Sequence, residues 1–491
     1  MGIKTLHVTN AWHAASGGVA TFYQALMQAA NRREHELRLI VPGKEDGVED
    51  VGSHCKIYSV AAPAAPLNPA YRAIYPSQFL FKGSRLQQLL AEERPDLIEI
   101  SDKYTLAYLG GLLRLRLLKA LDFRPVVVGL SNERMDDNFR SYLGWLPLGR
   151  QFCSWYMHWI YFPFFDHHIA NSSYTAEELR AASRGHLVPR GTWIRHMGAD
   201  LTGMSPAHAS SDGRQRLMAL CGASEDAVLL LYVGRLAPEK NLKLLFSLVE
   251  HLNRVDQCRP FHLIVAGDGM ERAHWEGHAA AQLPGRAVFL GHVRERKMLA
   301  MLYANADLFV HPNPHEPFGI APLEAMASGL PLLAPNLGGV TSYASPANAW
   351  VVPPTVEDFA RAVGEVVGNR ELAAQKTERA LATAAVYSWD RVADGFLNLY
   401  QEMHHCFQRK VPIVSADFYS LPASPATARI AHWTSQVVES LFTRTARLRE
   451  LALARYGDRR PRGFMHNETV RKPTLLSNSS LPPNRGNAGQ D

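Results

Sequence analysis

Two glutamates with seven residues between them stand out among the side chains whose type and spacing could do chemistry. Glu316 and Glu324 lie in the run from His311 to Pro335 (HPNPHEPFGIAPLEAMASGLPLLAP), which predicts a strand end, a loop and a helix beginning near Ala321–Pro322. A helix N-terminus offers unpaired N–H groups and a positive dipole, which suit a diphosphate. A carboxylate in the first helical turn can accept hydrogen bonds from vicinal sugar hydroxyls. The alternative is a helix-dipole partner at Glu324 and a solvated loop residue at Glu316.

Two cations follow a strand upstream of this run. The segment Leu231–Leu242 (LYVGRLAPEKNL) places Arg235 and Lys240 on a loop that enters a helix. Arginine is a bidentate phosphate donor and lysine a mobile point charge, so the pair suits a pyrophosphate. An exposed charge pair with Glu239 is the alternative for either cation taken singly.

Glycines mark two further strand ends. The segment at residues 10–23 (NAWHAASGGVATFY) carries Gly17 and Gly18 before a helix, and Gly267 lies in VAGDGME. Paired glycines let backbone N–H groups approach an anion closely, although a tight strand–helix turn explains them equally. The chain has no GxGxxG fingerprint at this position and no acidic ribose partner at the end of the second strand, which argues against NAD.

The elements that must position these residues are short apolar strands alternating with helical segments. Continuous apolar strands separated by helices are typical of parallel sheets covered on both faces, with ligands at the strand C-termini. Ten strands are predicted: Thr5–Val8, Leu37–Val41, Leu97–Ile100, Val126–Leu130, His168–Ala170, Val228–Val233, His262–Ala266, Val288–Leu290, Leu308–His311 and Leu330–Ala334.

The two groups of strands predict an α/β protein with two Rossmann-like domains facing a cleft. We expect an N-terminal domain at residues 1–200, a C-terminal domain at 201–388, a closing helix at 389–405 and a basic tail at 406–491. Within the tail a helix is predicted at about 426–456, and the Ser-, Asn- and Pro-rich end after it is predicted to be disordered.

Charge and composition narrow the class of protein. The 491 residues carry a formal charge of +6, but 13 Lys and Arg against 6 Asp and Glu lie in residues 406–491, which leaves the body nearly neutral. A nucleic-acid groove would need basic residues on the folded body, so nucleic acid is not an expected partner. The absence of a signal-like N-terminus and of paired cysteines predicts a cytoplasmic protein.

Taken together, these motifs resemble the retaining glycosyltransferases of the GT-B fold, specifically family 4 (glycosyl transferases group 1). The resemblance is carried by the Gly17–Gly18 loop, by GRLAPEKN, and by the Glu-x7-Glu pair with its intervening PFG, and it covers about residues 3–404. It implies a nucleoside-diphosphate sugar in the C-terminal domain and no obligatory metal or other cofactor. The sequence also lacks an Asp-x-Asp motif, so cations and helix dipoles must neutralise the leaving diphosphate.

The resemblance also implies a role for individual residues. Arg235 and Lys240 would bind the diphosphate, and Glu324 the ribose hydroxyls. Glu316 would hold the donor hexose together with the backbone at Phe318, Gly319 and Ile320. Gly17 and Gly18 would reach the phosphates from across the cleft, and Gly267 would add a donor contact. We expect the catalytic set to be Glu316, Asn132, Arg235 and Lys240.

Two positions depart from the family pattern. The segment Val126–Asp137 (VVVGLSNERMDD) resembles the SHERLD-like sequence of lipid-directed mannosyltransferases, but Asn132 stands where the family has His. Asparagine donates a hydrogen bond but does not titrate near neutral pH. Either the His role is positional, or catalysis is weakened, or Ser131 is the true counterpart. Thr341–Tyr343 stands where the family commonly has a Pro-Glu pair. The resemblance therefore does not extend to a secondary contact with the donor at this position.

The predicted function is transfer of a hexose, with retention, from a nucleotide sugar to a lipid-linked or oligosaccharide acceptor. GDP-mannose is the first expectation for the donor and a UDP-hexose the next. The alternatives are a GT-B sugar epimerase, which needs no acceptor, and an inactive nucleotide-sugar-binding partner protein, which the Asn132 substitution suggests.

The acceptor side is marked by aromatic residues. Eleven tryptophans, tyrosines and phenylalanines fall in residues 139–165, and their spacing favours packing beneath the N-terminal domain over an interfacial surface for a lipid-linked acceptor. The basic tail offers a second peripheral contact with the inner face of a membrane. Adjacent histidines at 167–168 point to opposite faces of a strand, so no metal site is expected.

Overall fold

The computed structural model describes residues 2–13, 17–65, 68–144, 148–184, 186, 191–256, 258–410 and 418–419. The strands, in chain order, are β1 (Thr5–Thr9), β2 (Leu37–Gly43), β3 (Gly47–Val51), β4 (Cys55–Ala61), β5 (Ala64–Ala65), β6 (Asn68–Arg72), β7 (Leu97–Ser101), β8 (Val126–Ser131), β9 (His167–Ala170), β10 (Gly191–Ile194), β11 (Val228–Val233), β12 (Phe261–Ala266), β13 (Ala287–Gly291), β14 (Leu308–Val310), β15 (Leu332–Pro335), β16 (Trp350–Val352) and β17 (Phe418–Tyr419).

Helices lie between most of these strands. In chain order they are α1 (Gly18–Arg32), α2 (Ser77–Leu80), α3 (Arg85–Glu93), α4 (Ala107–Arg114), α5 (Met135–Leu143), α6 (Gly149–Tyr156), α7 (Ser173–Ser183), α8 (Ser211–Cys221), α9 (Leu242–Val255), α10 (Arg272–Gln282), α11 (Arg296–Asn305), α12 (Ile320–Ala327), α13 (Val356–Gly368), α14 (Arg370–Ala385) and α15 (Trp389–Arg409). A short π-helix at Met157–Tyr161 and a 3₁₀ turn at Pro238–Lys240 also bear on the site.

The strands form two separate large sheets. The first has the order β17-β10-β9-β8-β7-β1-β2-β4-β3 and is parallel except at its two edge pairs. The second has the order β13-β12-β11-β14-β15-β16 and is parallel throughout. All ten predicted strands are present within two residues of their predicted ends, which confirms the predicted α/β fold.

The sequence of the central strands explains why they lie inside. Every residue of β8 (VVVGLS) and of β12 (FHLIVA) is buried, and so are five of the six residues of β11 (VLLLYV). A strand buried on both faces needs apolar residues at successive positions, and β-branched side chains pack well on the pleated surface. These three strands end at the loops that carry Asn132, Arg235 and Gly267.

We call the part built around the first sheet the N-terminal domain and the part around the second sheet the C-terminal domain. Helix α15 follows the C-terminal domain but packs on α1, where the rings of Phe22 and Phe396 are 4.8 Å apart. The Tyr400 hydroxyl of α15 also donates to Glu99, a fully buried carboxylate in β7. Since burial of an unpaired carboxylate is costly, this contact holds the returning helix in one place.

The domain boundaries at 200, 388 and 405 stay predictions, although all strands of the two large sheets except β17 lie within the expected ranges. Helix α15 continues to Arg409, four residues past the predicted end of the closing helix. Residues 418–419 add an antiparallel edge strand to β10, which the sequence did not predict because two residues carry no strand periodicity. The predicted helix at 426–456 lies outside the described residues.

Candidate active site

The loop between β14 and α12 brings Glu316 to Lys240. The Lys240 Nζ lies 2.8 Å from Glu316 Oε2, and the Asn313 side-chain amide donates to the same oxygen at 3.1 Å. Both charged side chains are largely buried, at 18% and 14% exposed. The two residues, 76 positions apart in the chain, therefore form one site, and Glu316 is not the solvated loop residue of the alternative interpretation.

The charges around Glu316 determine its protonation. Burial alone would raise its pKa, but the Lys240 ammonium, His311 and the two hydrogen bonds lower that pKa to about 2. His311 is fully buried beside it, and burial with Lys240 lowers the His311 pKa to about 4. At neutral pH the site thus holds an ionised carboxylate and a neutral imidazole, and Glu316 can accept hydrogen bonds from a sugar.

Arg235 pairs with Glu239 on the turn that precedes α9. Its guanidinium Nη2 lies 2.5 Å from Glu239 Oε1, so the charge pair considered as an alternative is present. Tyr71 from β6 is hydrogen-bonded to Arg235, and the Tyr142 hydroxyl of α5 donates to Glu239 Oε2 at 2.8 Å. Arg235 remains 46% exposed, which leaves its guanidinium accessible to an anion in the cleft.

Glu324 occupies a different environment from Glu316. The sequence predicted Glu324 in the first turn of α12. In the structure this helix begins at Ile320, so Glu324 is its fifth residue and lies just beyond the first turn. The carboxylate is buried, accepts from the Tyr303 hydroxyl at 3.2 Å and lies 3.6 Å from Arg296 Nη1. Burial raises its pKa to about 7, and Arg296 opposes the shift.

The glycine pair at the start of α1 faces the start of α12. Gly17 caps α1, and a Cβ added to Gly18 would lie 2.7 Å from the Ile320 Cδ1. The N-termini of α1 and α12, one from each domain, therefore meet across the cleft. Two helix N-termini with exposed backbone N–H groups at one place favour an anion there.

The backbone of the PFG segment is held by a tyrosine hydroxyl and by an aromatic contact. Gly319 caps α12 with φ of +89°, a conformation that suits glycine, and its carbonyl accepts from the Tyr343 hydroxyl. Phe318 is buried and stacks on His196 with ring centroids 5.7 Å apart. Tyr343, noted in the sequence only as a departure from a family motif, thus supports the loop that carries Glu316.

Gly267 lies against backbone rather than in open space. A Cβ added there would be 1.8 Å from the Gly234 carbonyl oxygen, and Gly267 forms a bridge with Gly291. The glycine is required so that the β12 loop can approach the Arg235 turn closely. This placement accounts for the residue type, and the predicted donor contact stays a prediction.

Asn132 lies on the opposite side of the cleft, directly after β8. Its amide nitrogen donates to Ser101 Oγ at 2.9 Å. Its Oδ1 is buried and has no hydrogen-bond partner among the residues that the structure describes. Ser131, the alternative counterpart of the family His, is fully buried and its Oγ donates to the Glu133 carbonyl at 3.3 Å. Asn132 is thus the better placed of the two for a ligand.

Several residues of this site were missed from the sequence. The partners of the predicted residues are ordinary polar and aromatic side chains with no motif of their own: His311 and Asn313 at Glu316, Tyr303 and Arg296 at Glu324, Tyr71 at Arg235 and Tyr142 at Glu239. His311 and Asn313 flank the strand end before Glu316, which is the one signal that could have indicated them. Within the described part of the chain, no group of three His, Cys, Asp or Glu side chains could hold a metal ion.

The aromatic segment at residues 139–165 divides into two parts. Tyr161, Phe162 and Phe165 are fully buried, in agreement with the packing expectation. Phe152 and Trp155 of α6 are 49% and 51% exposed, and their rings stack at 6.3 Å. Within the described ranges, no helix is long and apolar enough to cross a membrane.

Comparison with known proteins agrees with this geometry. Residues 216–383 match the family described as Glycosyl transferases group 1, and residues 16–192 match Glycosyltransferase Family 4. A GDP-mannose-dependent alpha-(1-6)-phosphatidylinositol dimannoside mannosyltransferase of Mycobacterium tuberculosis is 26% identical over 80% of this chain and 95% of its own length. A GDP-mannose-dependent alpha-mannosyltransferase of the same species is 27% identical, over 82% of this chain and 97% of its own length.

Solved structures agree on the fold. Sucrose-phosphate synthase from Thermosynechococcus elongatus superposes with a TM-score of 0.64 at 19% identity, covering 82% of this chain and all of that one. The catalytic domain of starch synthase IV from Arabidopsis thaliana, bound to ADP and acarbose, gives a TM-score of 0.61 at 15% identity, with 82% and 100% covered.

The family matches and the fold together identify a glycosyltransferase with the GT-B fold. The chain is an enzyme of this class, its two halves carry the family 4 and group 1 glycosyltransferase domains, and it resembles the mannosyltransferases among them.

Proposed function

We propose that the protein is a retaining hexosyltransferase that takes its sugar from a nucleoside-diphosphate donor and transfers it to a lipid-linked or oligosaccharide acceptor. The observation that carries this proposal is the meeting of Lys240, Glu316 and the two helix N-termini at one point of the cleft. An ammonium, a guanidinium and two helix dipoles suit a diphosphate, and an ionised carboxylate beside them suits the hydroxyls of a sugar.

Each part of the donor has a place in this arrangement. Arg235 and Lys240 bind the diphosphate, and the backbone at Gly17 and Gly18 approaches it from the N-terminal domain. Glu324, buried one turn into α12, accepts hydrogen bonds from the ribose. Glu316 holds the hexose together with the backbone of residues 318–320, and the turn at Gly267 keeps the Arg235 loop in position.

The reaction that this arrangement supports exchanges one C–O bond for another. The bond between the anomeric carbon and the diphosphate oxygen breaks, and the acceptor hydroxyl forms its bond to that carbon on the same face. The hydroxyl proton passes to the leaving diphosphate oxygen. Arg235, Lys240 and the helix N-termini stabilise the charge that develops on that oxygen, so the proposal assigns no step to a metal or other cofactor.

Asn132 contributes from the acceptor side of the cleft. Its buried Oδ1 has no partner among the described residues and is available to a sugar hydroxyl. The amide positions that hydroxyl but does not titrate, so the role of the family His is positional in this chain.

GDP-mannose is the first donor we propose, and a UDP-hexose the next. The support is the SNERMDD segment at the end of β8 and the activities of two relatives, both GDP-mannose-dependent mannosyltransferases. One of these relatives acts on a phosphatidylinositol dimannoside, which favours a lipid-linked acceptor here.

A lipid-linked acceptor needs a surface that meets the membrane. The exposed rings of Phe152 and Trp155 on α6 offer one, because aromatic side chains favour the headgroup region of a bilayer. Helix α6 packs beside α5, whose Tyr142 reaches the cleft. The proposal therefore places the enzyme on the inner face of a membrane, with α6 towards the lipid.

The donor is tested by a screen of GDP-, UDP- and ADP-sugars for thermal stabilisation and for hydrolysis or transfer. A ligand at 100 times its dissociation constant stabilises the folded state by about 2.7 kcal/mol, so the right nucleotide raises the melting temperature measurably. Release of free sugar or transfer to an acceptor supports a transferase. Conversion of the donor's sugar into its epimer without an acceptor indicates an epimerase, and stabilisation without turnover indicates a binding protein.

The site is tested by Lys240→Ala and Glu324→Ala. Both variants should abolish donor turnover and remain folded, although Lys240→Ala should lower the melting temperature because it leaves the buried Glu316 carboxylate without its ion-pair partner. Lys243→Ala and Glu371→Ala are matched controls, because both residues are exposed in the first turns of α9 and α14 and lie outside the site. Turnover at the wild-type rate in both site variants would contradict the assignment.

A further inference from the structure

Two tyrosine hydroxyls of the N-terminal domain reach the two loops of the C-terminal domain that carry the predicted donor residues. Tyr142 of α5 donates to Glu239 Oε2 at 2.8 Å. Tyr174 of α7 lies with its hydroxyl 3.0 Å from His315 Nδ1. The two bonds start from different helices and end on different loops.

Each bond ends one residue away from a residue of the donor site. Glu239 precedes Lys240 in the chain and pairs with Arg235 at 2.5 Å. His315 precedes Glu316, which binds Lys240 at 2.8 Å. A shift of either loop would therefore move a cation or a carboxylate that the diphosphate and hexose would contact.

We propose that Tyr142 and Tyr174 are positioning residues, which hold these two loops against the N-terminal domain so that Lys240 and Glu316 face the donor in the closed cleft. This inference rests on the proposed function for the identity of the donor residues. Tyr174 belongs to no motif that the sequence indicated, Tyr142 was noted only as part of the aromatic segment at residues 139–165, and neither touches the donor in this assignment.

The hydrogen bond from Tyr142 to Glu239 keeps its strength when a diphosphate enters the cleft. Burial would raise the pKa of Glu239, but Arg235 and Lys240 lower it, so the carboxylate is ionised. A diphosphate that draws Arg235 away leaves Glu239 with the hydrogen bond from Tyr142. The loop then remains fixed to α5 while Arg235 turns to the ligand, since hydrogen bonds to ionised groups are the stronger ones.

The contact between Tyr174 and His315 is part of a hydrogen-bonded chain that also includes Asp137. The Tyr174 hydroxyl donates to Asp137, so its oxygen is left to accept the Nδ1–H of His315. Asp137 is itself held by Arg140 at 2.9 Å, and Arg134 lies over the Tyr174 ring at 4.6 Å. The tyrosine therefore has a fixed hydroxyl direction before the loop docks, which reduces the entropy lost on closing.

The test is kinetic and structural, with Tyr142→Phe, Tyr174→Phe and the double variant. Phenylalanine keeps the ring and removes only the hydroxyl. We expect kcat/KM for the donor to fall about 10-fold for Tyr142→Phe and about 3- to 10-fold for Tyr174→Phe, the larger loss belonging to the bond with the charged acceptor. Small-angle X-ray scattering with saturating GDP or UDP should show a more open particle for the double variant than for the wild type.

Tyr104→Phe is the matched control, because Tyr104 is as exposed as Tyr142 and its hydroxyl bonds within the N-terminal domain, to Asn138 at 2.9 Å. His315→Asn, which keeps an N–H near the Nδ1 position, should retain most of the activity that His315→Leu loses. Unchanged kcat/KM and unchanged scattering in the double variant would overturn the inference. If the wild type turns over no donor, the proposed function fails, and the scattering comparison still decides the role of the tyrosines.

Discussion

The two glutamates of the Glu-x7-Glu pair differ in protonation because their neighbours differ. Glu316 lies beside the Lys240 ammonium, and its pKa is about 2 in spite of burial. Glu324 is buried with a tyrosine hydroxyl and a guanidinium 3.6 Å away, and burial dominates, so its pKa is about 7. Glu316 is therefore ionised at every pH at which the enzyme would work, whereas Glu324 changes its charge near neutrality.

We expect nucleoside diphosphate binding to strengthen as the pH rises from 6 to 8. Ribose hydroxyls stabilise the ionised carboxylate, so the Glu324 pKa falls on binding, a proton is released, and affinity increases with pH. The gain of a charged over a neutral acceptor is worth about 5-fold in affinity. Isothermal titration calorimetry with GDP and UDP between pH 6 and pH 8 measures this change in affinity. Glu324→Gln should lose this part of the dependence and leave only the titration of the phosphate; an identical pH profile in both proteins would contradict the assignment.

At the scale of elements, the donor loops are held by close approaches of backbone to backbone. The β12 loop touches the Arg235 turn at Gly267, and the turn at Gly338–Gly339 touches the Glu316 loop. The Gly339 amide donates to the Glu316 carbonyl at 2.6 Å. Glycine at these points lets two loops from neighbouring strands share one site.

Gly267→Ala should destabilise the protein, because the new Cβ would lie 1.8 Å from a backbone oxygen. We expect a loss of about 1–3 kcal/mol, the usual cost of overpacking, together with weaker donor binding as the Arg235 turn moves. Gly277→Ala in α10 is the matched control: nothing lies within 4 Å of its Cβ, and alanine in a helix should stabilise by roughly 0.5–1 kcal/mol. Melting temperatures measure both, and equal shifts in the two variants would refute the close-approach argument.

At the scale of the whole molecule, the chain passes between the two domains and returns. Helix α15 leaves the C-terminal domain and packs on α1, so the N-terminal and C-terminal domains are linked both before β11 and after α14. On the N-terminal domain the exposed rings of Phe152 and Trp155 lie on α6, beside the helix that reaches the cleft. An acceptor held in a membrane would therefore meet the enzyme on this side.

We expect the protein to float with vesicles of anionic phospholipid, and the variant Phe152→Ser/Trp155→Ser to lose at least about 5-fold in bound fraction, because each ring that leaves the headgroup region forfeits buried apolar area. Phe81→Ser is the control, since Phe81 is equally exposed at 51% but lies after α2. A variant ending at residue 410 separates the contribution of the basic tail. Flotation of the double-serine variant at the wild-type level would remove α6 as the membrane contact.

Ten strands and the motif residues could be predicted from the sequence, whereas β3–β6, β10, β16 and β17 could not. Most of the predicted strands could be recognised because a strand buried on both faces must be apolar at successive positions, and this property is local in the chain. The donor loops could be located because parallel strands place their C-terminal ends at one edge of a sheet. Glycines at strand ends and a proline near the start of α12 are likewise local signals.

Only the tertiary structure decided which side chains meet and in which protonation state. Lys240 and Glu316 pair across 76 residues, and Tyr142 reaches Glu239 across 97. No sequence periodicity indicates such a pair, since each partner taken alone is a residue type that is common on protein surfaces. The pKa of Glu324 near 7 and that of Glu316 near 2 follow from burial and from neighbours on other strands. Electrostatic energy depends on distance and solvent exposure, and both are properties of the folded chain.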